Sequence, residues 1–262
     1  MTKVICFANN KGGSGKSTTC ANVGYFLAQK GRRVLLVDGD MQLNLSLSFF
    51  PEERVLEFAK SENNLYRAVQ TQRSIQADIV HTPYENLDLV PSSTLMSGIE
   101  VELFSKWQRE FVLKKCLAEV RESGAYDYIL IDAPPTLGGW VMNILVASDY
   151  LIIPVEASPW GLFGLANLFE FLNDVKAVSP ELSLLGIVVT KVDTRKNYFK
   201  QTLETLSELG EDVRIFETYI RTDSSIEWSQ DNSKPVGAFR RSARSAGEYE
   251  KLAEEVDRYG SR

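Results

Sequence analysis

The residues of this chain best suited to chemistry form a glycine-rich segment near its start. That segment reads Asn9-Asn10-Lys11-Gly12-Gly13-Ser14-Gly15-Lys16-Ser17-Thr18. It follows an apolar run, residues 3–8, and opens a predicted helix, residues 16–30. Glycines let backbone N–H groups line a concave loop, and the N-terminus of the helix adds positive potential. We therefore expect a phosphate cradle in which Lys16 neutralises the outer phosphates and Ser17 holds Mg²⁺.

The loop departs from the usual G-x-x-x-x-G-K-[ST] form at two positions. Asn10 stands at the first glycine position, and a second lysine, Lys11, precedes the glycine pair. Lys11 is at the start of the loop, away from the helix end where Lys16 already serves the phosphates. Two lysines in one loop suggest that one serves the chain's own nucleotide while the other reaches elsewhere. The alternative for Lys11 is a solvated loop charge.

Two groups of carboxylates follow predicted strands further along the chain. Asp38 and Asp40 come after the run 33–37, and Asp132 follows four apolar residues, 128–131. Open α/β sheets bind ligands at the carboxyl edge of their parallel strands, so these side chains are expected near the loop. Asp132 would there be a Walker-B-type partner for Mg²⁺. Each aspartate taken alone could instead cap a helix or form a turn.

Short β-rich runs alternate with longer helical segments, which is typical of a parallel sheet wrapped by helices. The predicted strands are residues 3–8, 33–37, 87–90, 128–131, 150–155, 184–190 and 213–216. The predicted helices are residues 16–30, 100–122, 137–147, 162–178, 199–209 and 244–259, with short helices within 49–78. We predict one α/β domain over residues 1–262, with a doubly wound, mostly parallel sheet and helices on both faces.

The composition is that of a globular protein. The 262 residues include 29 Lys+Arg and 35 Asp+Glu, a net charge of −6, with 44% hydrophobic and 24% charged residues. These values exclude a disordered or fibrous chain and argue against a protein that coats nucleic acid by bulk charge. Three scattered cysteines and one histidine leave little for a zinc site or a disulfide framework. With no targeting or membrane-length apolar run, we expect a cytoplasmic protein.

The segment 11–18 resembles the deviant Walker A motif of the ParA/MinD class of P-loop ATPases. Other segments resemble the ParA-type partition branch of that class: Asp38-Gly39-Asp40-Met41-Gln42-Leu43-Asn44, Asp132-Ala133-Pro134-Pro135, Lys234-Pro235-Val236 and Arg241-Ser242-Ala243-Arg244-Ser245-Ala246-Gly247-Glu248-Tyr249. The similarity runs from residue 3 to about residue 256 and is weakest between residues 49 and 85. The resemblance implies a P-loop NTPase fold and ATP with Mg²⁺ as the cofactors.

The resemblance also implies a nucleotide site residue by residue. Lys16 would bind the β- and γ-phosphates, and Thr18 would contact the α-phosphate. Ser17 would hold Mg²⁺ directly, and Asp132 would hold it through its shell. The remaining nucleotide-binding residues would be Gly12, Gly13, Ser14 and Gly15.

The resemblance also implies a role for a second subunit. By the resemblance, Lys11 would cross an ATP-sandwiched homodimer to contact the partner's nucleotide, and Gly12 would allow the two subunits to approach closely. Asp40 would position or activate the attacking water. The expected catalytic set is therefore Lys11, Lys16 and Asp40, which fits a slow hydrolase that uses charge neutralisation and one water-orienting carboxylate.

Partition ATPases of the kind this chain resembles bind DNA without sequence preference when dimerised by ATP. Because the net charge of −6 forbids a bulk effect, a local patch must supply the contact. The candidates are Arg195, Arg221, Arg240, Arg241 and Arg244, with Lys196 and Lys200 near the first of them. The alternative is a solvated surface whose charges are offset by nearby acids.

The implied partner is a ParB-type centromere-binding protein that stimulates a weak hydrolysis. No arginine finger in cis is evident, so the unstimulated rate is expected to be slow. The implied cycle of dimerisation, DNA binding, hydrolysis and release would move plasmid or chromosome copies apart. It would place the protein on the nucleoid within the cytoplasm.

Three other functions stay open. A MinD-like, membrane-cycling ATPase needs a C-terminal amphipathic helix rich in basic residues, whereas residues 248–259 carry five acidic and two basic side chains. Their apolar positions predict packing on the chain's own domain, so no membrane contact is expected. A cluster-carrying relative needs cysteines that bridge a cluster across the dimer, whereas Cys6 and Cys20 are predicted to be buried and Cys116 to lie inside a helix away from Asp132. A cargo-positioning scaffold would use the same nucleotide site.

The chain departs from the family pattern in places. Met41 stands where family members usually have proline, and Arg221 falls where a proline is usual near the base site, so the resemblance assigns no base contact. Thr190-Lys191-Val192-Asp193 resembles the guanine-reading motif of GTPases, with a strand end and turn as the alternative. The family resemblance favours ATP. For Trp160, core packing is favoured over a dimer contact.

Overall fold

The computed structural model describes residues 2–210 and 213–260. Within these residues, seven strands form one sheet. They are β1 (Lys3–Phe7), β2 (Val34–Asp38), β3 (Val80–His81), β4 (Leu87–Val90), β5 (Tyr128–Asp132), β6 (Tyr150–Glu156) and β7 (Ser183–Thr190). Six of the seven match predicted apolar runs, because strands covered on both faces are apolar at nearly every position.

The helices of the described residues lie between and after these strands. They are α1 (Lys16–Gln29), α2 (Asn44–Leu47), α3 (Glu52–Lys60), α4 (Leu65–Thr71), α5 (Ile99–Phe104), α6 (Val112–Glu122), α7 (Gly139–Val146), α8 (Leu165–Val178), α9 (Tyr198–Ser207), α10 (Ser224–Asp231), α11 (Val236–Phe239) and α12 (Arg244–Gly260). Short 3₁₀ turns occupy Ile75–Asp78, Thr94–Gly98 and Arg109–Phe111. Gly31 ends α1 with a left-handed φ of 80°, as helix C-termini favour.

The strand order determines where a ligand can bind. It runs β3-β4-β2-β5-β1-β6-β7, and every neighbouring pair is parallel except β3 and β4. β1 lies inside the sheet, between β5 and β6, and the later strands add first on its β5 side and then on its β6 side. This confirms the predicted doubly wound, mostly parallel sheet. The carboxyl ends of β1, β2, β5, β6 and β7 meet at one edge, beside the switch in strand order where such sheets bind ligands.

Alternate strand residues face two separate cores. Cys6, Val37 and Ile131 pack in one core with helices α4 to α8. Their chain neighbours, Phe7 and Leu130 among them, pack in the other core with α1 and α12. Helices on both faces of the sheet were predicted, and this arrangement confirms them.

The predicted strand at residues 213–216 is wrong. Ile215 forms a single isolated bridge to Ile187 of β7, and the Phe216 N–H donates to the Ile187 carbonyl at 2.9 Å. The segment runs along β7 without continuous pairing, so it does not extend the sheet as a strand. The seventh strand is instead β3, whose two residues pair antiparallel with β4 at the opposite edge.

The single helix predicted over residues 100–122 is also wrong. Gln108 adopts a left-handed backbone with φ 51°, which interrupts the helical hydrogen bonds and separates α5 from α6. The short helices expected within residues 49–78 are present as α3, α4 and a 3₁₀ turn.

Helix α12 is held on α1 by an apolar stripe. Tyr249, Leu252 and Val256 are at most 2% exposed. We expect Leu252→Ala to lower the free energy of unfolding by about 2–5 kcal/mol, because it leaves a cavity in the core. Lys251→Ala, at the exposed neighbouring position, is the control and is expected to stay within about 0.5 kcal/mol of wild type. Urea unfolding followed by circular dichroism measures both, and equal stability of the two variants would contradict this packing.

Candidate nucleotide site

The β1–α1 loop is built on left-handed glycines and is tied to neighbouring strands. Gly13 and Gly15 have φ of 76° and 90°, a region in which residues with a Cβ are strained. The Thr190 hydroxyl at the end of β7 donates to the Ser14 carbonyl at 2.8 Å. The Asn9 amide donates to the Pro154 carbonyl of β6 at 2.7 Å. Contacts with β6 and β7 therefore hold the loop in its concave form.

Lys16 is placed at the start of α1, where its ammonium group is taken out of water. Its side chain is almost fully buried, and Nζ donates to the carbonyl of Lys11 at 3.2 Å. Burial lowers the pKa of Lys16, while the nearby Asp132 and Asp40 carboxylates act in the opposite direction. A buried ammonium group at a helix N-terminus is an anion-binding arrangement.

Asp132 carries a buried carboxylate that lacks a protein partner. It is fully buried at the end of β5, and among the described residues neither carboxylate oxygen has a hydrogen-bond partner within normal distance. Burial, followed by repulsion from Asp38, raises its pKa well above the usual range, although Ser17 and Lys16 nearby lower it. An orphaned buried carboxylate beside a hydroxyl offers the oxygen ligands that Mg²⁺ prefers. The donor set therefore fits a magnesium ion.

The segment after β2 is fixed through the backbone of Gly39. Its N–H donates to the Asp132 carbonyl at 3.0 Å, and its carbonyl accepts from Trp140 Nε1 at 2.8 Å. A Cβ at Gly39 would lie 2.5 Å from the Asp132 carbonyl oxygen, so only glycine fits. Asp40 follows directly; it is 5% exposed, and its Oδ1 accepts from the Gln42 N–H at 3.1 Å.

Asp38 is a structural carboxylate below this segment. It accepts from the backbone N–H of Ser46 at 2.9 Å and from the Ser46 hydroxyl at 2.6 Å. Burial raises the pKa of Asp38 to about 6, although these hydrogen bonds lower it. The first aspartate of the segment thus anchors α2, and the second faces the cavity.

A cavity of about 560 Å³ opens above the loop. The predicted site residues that line it are Gly12, Gly13, Gly15, Lys16, Ser17, Thr18 and Asp40. Its far wall comes from the segment after β7 and from α10, with Ile220, Arg221, Thr222, Asp223, Ile226 and Gln230. Gln230 donates to the Thr18 hydroxyl at 2.9 Å. The cavity is large enough for a nucleotide, with phosphates toward the loop.

Sequence reasoning missed Trp140 and Gln230. Trp140 contacts Gly39 from 101 positions away in sequence, and Gln230 contacts Thr18 from 212 positions away. No local motif surrounds either residue, so nothing in the sequence points to them. Gln230 lies on α10, a helix that was not predicted.

In the segment that resembles the guanine-reading motif, residues 190–193, the last residue forms part of a turn. Asp193 accepts two hydrogen bonds from the Arg195 guanidinium, both at 2.9 Å, and this partner lowers its pKa to about 2. Asp193 is not among the residues that line the cavity, whereas Lys191 is. Asp193 is thus part of the turn that follows β7.

Lys11 lies outside the cavity. Its Nζ is 3.1 Å from Glu156 Oε2 and 3.2 Å from the Ser158 hydroxyl, beyond the end of β6. Beside it, a Cβ at Gly12 would meet nothing within 4 Å, and the φ of Gly12 is not left-handed. Within this chain, therefore, neither crowding nor backbone conformation requires glycine at position 12.

The nearby turn after β6 exposes two aromatic rings. Trp160 and Phe163 are 71% and 76% exposed and contact each other edge to face. Core packing of Trp160 is therefore wrong. Gly161 is required in this turn, because a Cβ would overlap the Glu156 carbonyl oxygen.

The candidate DNA-binding arginines already have partners within the chain. Arg221, in the cavity wall, binds Glu248. Arg244 donates to the Thr222 carbonyl at 2.7 Å and lies 3.7 Å from the same Glu248 carboxylate. Arg195 forms an ion pair with Asp193, and Arg241 forms one with Glu250. The guanidinium groups of Arg241 and Arg240 also stack over the rings of Phe26 and Trp228, respectively. Arg221 and Arg244 thus meet at Glu248, and the contact of the five arginines with DNA stays a prediction.

The helices and the cysteines bear on the membrane-cycling and cluster-carrying alternatives. Of the helices in the described part of the chain, none has the length and apolar character needed to span a bilayer. Cys6, Cys20 and Cys116 are all buried with free thiols, as predicted for the first two.

Comparison with known proteins identifies the family. Residues 2–184 match the family described as an AAA domain. The chain is 34% identical over 257 residues to the chromosome-partitioning ATPase Soj of Treponema pallidum, with 98% of this chain and 97% of that protein covered.

Solved structures agree with this match. The cobyrinic acid a,c-diamide synthase of Mycobacterium smegmatis, with an ATP analogue and magnesium bound, has a TM-score of 0.86 and 28% identity, covering 99% of this chain and 96% of that one. A protein of Borrelia burgdorferi B31 described as a plasmid partition protein, bound to AMPPNP, has a TM-score of 0.80 and 25% identity, covering 98% and 99%. With its doubly wound sheet and its two-lysine loop, the chain belongs to this family and, within it, to the ParA/MinD class of P-loop ATPases.

Proposed function

We propose that this chain is an ATP-dependent, dimerising ATPase that binds DNA without sequence preference and drives the partition of plasmid or chromosome copies. The observation that carries the proposal is the separation of the two lysines of one loop. Lys16 is buried beside Asp132, whereas Lys11 lies outside the cavity and forms an ion pair with the partly exposed Glu156. An ammonium group on that outer rim is available to a second subunit.

The loop and its neighbours suit ATP with Mg²⁺. Lys16 would bind the β- and γ-phosphates, and the Thr18 hydroxyl, already oriented by Gln230, would contact the α-phosphate. Ser17 and Asp132 would hold the magnesium ion, since the Asp132 carboxylate has no other hydrogen-bond partner among the described residues. When bound, magnesium would neutralise part of the phosphate charge. The remaining loop residues, Gly12, Gly13, Ser14 and Gly15, would surround the phosphates.

Asp40 would position the attacking water. Its carboxylate lines the cavity, and the backbone before it is held by Gly39 between Asp132 and Trp140. One accepting bond, from the Gln42 N–H, leaves further lone pairs of Asp40 free to accept a proton or orient a water molecule.

A homodimer would complete the site. Lys11 would exchange its contact with Glu156 for the phosphates of the partner's nucleotide, because a phosphate group carries more charge than one carboxylate. The open space around Gly12 supports a close approach of another chain there. Opposite charge from a second subunit would stabilise the charge that develops on the transferred phosphoryl group.

DNA contact would come from the arginines near the start of α12. Arg240, Arg241 and Arg244 lie within five residues of one another, and Arg244 shares the Glu248 carboxylate with Arg221, which lines the nucleotide cavity. Dimerisation would double this basic surface, and each phosphate contact would steepen the salt dependence of binding. Arg195, in the turn that follows β7, would be a further DNA contact. We propose a cytoplasmic, nucleoid-associated protein whose slow hydrolysis is stimulated by a ParB-type partner.

The MinD-like alternative has less support. Such an ATPase needs a free apolar face on its C-terminal helix. The apolar side chains of α12, with Leu252 and Val256 among them, are instead buried against the chain's own core. A cargo-positioning role would use the same nucleotide site and differ only in what binds to the dimer.

The proposal predicts dimerisation that depends on ATP. Asp40→Ala should bind ATP but lose turnover by about 100-fold or more. In ATP with Mg²⁺ its mass by light scattering should be twice 29.5 kDa, near 59 kDa. Lys16→Ala, which removes the phosphate-binding ammonium, should not respond to ATP. A mass of the Asp40→Ala variant that does not depend on ATP would contradict the dimer.

The proposal also predicts which charge supports DNA binding. Arg241→Glu should abolish ATP-dependent retention on nonspecific DNA at a salt concentration of about 0.15 M, because it removes a phosphate contact and adds repulsion. Lys114→Glu is a matched control, since Lys114 also forms a surface ion pair, with Glu181, but lies on α6 against the opposite face of the sheet. Equal retention of the two variants would remove the arginine cluster from the proposal.

A further inference from the structure

The turn that carries Asp40 contains a strained leucine. Leu43 has φ 62° and ψ 16°, the left-handed region that favours glycine. Its side chain is nevertheless only 5% exposed. A large residue in this conformation needs a compensating interaction elsewhere.

The left-handed residue closes the turn that places Asp40. The Leu43 N–H donates to the Asp40 carbonyl at 3.2 Å, and the Gln42 N–H donates to Asp40 Oδ1 at 3.1 Å. The Leu43 carbonyl then accepts from the Leu47 N–H at 2.9 Å and starts α2. If the backbone at residue 43 relaxed to an ordinary conformation, the chain entering α2 would change direction and Asp40 would move.

The compensating interaction is a small apolar cluster of its own. Leu43 packs with Val55 and Ala59 of α3, and this cluster is separate from the two cores on the faces of the sheet. Val55 is 1% exposed and Ala59 is 5% exposed. Leu47 and Phe50, which are partly buried, pack against the same cluster, and the Leu43 side chain links the strained turn to α3 through it.

We propose that Leu43 is a positioning residue for hydrolysis: its burial against α3 holds a strained turn and so keeps Asp40 directed into the nucleotide cavity. This inference rests on the role of Asp40 in the proposed function. It makes α3 part of the machinery that sets the hydrolysis rate, although α3 contributes no residue to the nucleotide cavity. Any change that loosens α3 would misplace Asp40 and slow turnover without weakening ATP binding.

The test measures kcat and KM for ATP in three single variants and one double variant. Leu43→Ala keeps the strain and loses the anchor, so kcat should fall on the order of tenfold with KM nearly unchanged, since small misplacements of reacting groups cost rate. Leu43→Gly adopts φ 62° freely, so kcat should stay within about threefold of wild type. In the wild-type protein, Val55→Ala should lower kcat, because it removes a packing partner of Leu43. In the Leu43→Gly variant, which has no side chain at position 43, the same substitution should leave kcat unchanged.

The controls separate this inference from the proposed function. Val178→Ala removes a partly exposed apolar side chain of α8, away from the Leu43 cluster, and should leave kcat unchanged. All rates are measured at a temperature well below the midpoint of each variant's thermal unfolding. A wild-type kcat in Leu43→Ala, or a Val55→Ala effect that persists with Gly at position 43, overturns the inference. A wild-type rate in Asp40→Ala overturns the proposed function itself, whereas a loss there with an unaffected Leu43→Ala variant overturns the inference alone.

Discussion

The candidate site depends on the backbone of one residue, Gly39. Its N–H binds the carbonyl of Asp132 and its carbonyl accepts from the indole of Trp140, so the ends of β2 and β5 are joined at a fixed spacing. No side chain fits at Gly39, because the Asp132 backbone occupies that space. The carboxylates of Asp40 and Asp132 therefore reach the phosphate-binding loop as a pair. A parallel sheet supplies this closeness, since its strands end at the same edge.

The same edge separates the two lysines of the loop. Lys16 extends from the first turn of α1 among buried carboxylates, where low polarity strengthens its attraction for phosphate. Lys11, five residues earlier, lies on the other side of the loop with Glu156 of β6. The positive φ of Gly13 and Gly15 turns the chain between them. One loop thus presents an ammonium group inward and another outward, and an assembly of two chains can use both.

Much of this could be predicted from sequence because the signals are local. The glycine-lysine loop, the apolar strands and the aspartates at strand ends each lie within a few residues, and the structure brings them together at one edge. The strand predicted at 213–216 failed because apolar composition does not reveal that pairing to β7 is confined to a single bridge. Trp140 and Gln230 could not be found because only the folded chain joins them to the site. The strain at Leu43 is a backbone property that no motif reports.

The central claim is that Lys11 acts on the nucleotide of a second subunit, and mixing two inactive variants tests it most directly. Lys11→Ala lacks the lysine that would cross the dimer, and Asp40→Ala lacks the water-positioning carboxylate. In a mixed dimer, the Lys11→Ala chain keeps its own Asp40 and receives Lys11 from its partner, which restores one complete site. The account predicts ATP turnover in the mixture well above the sum of the separate rates. Turnover equal to that sum, with mixed dimers shown to form, would contradict it.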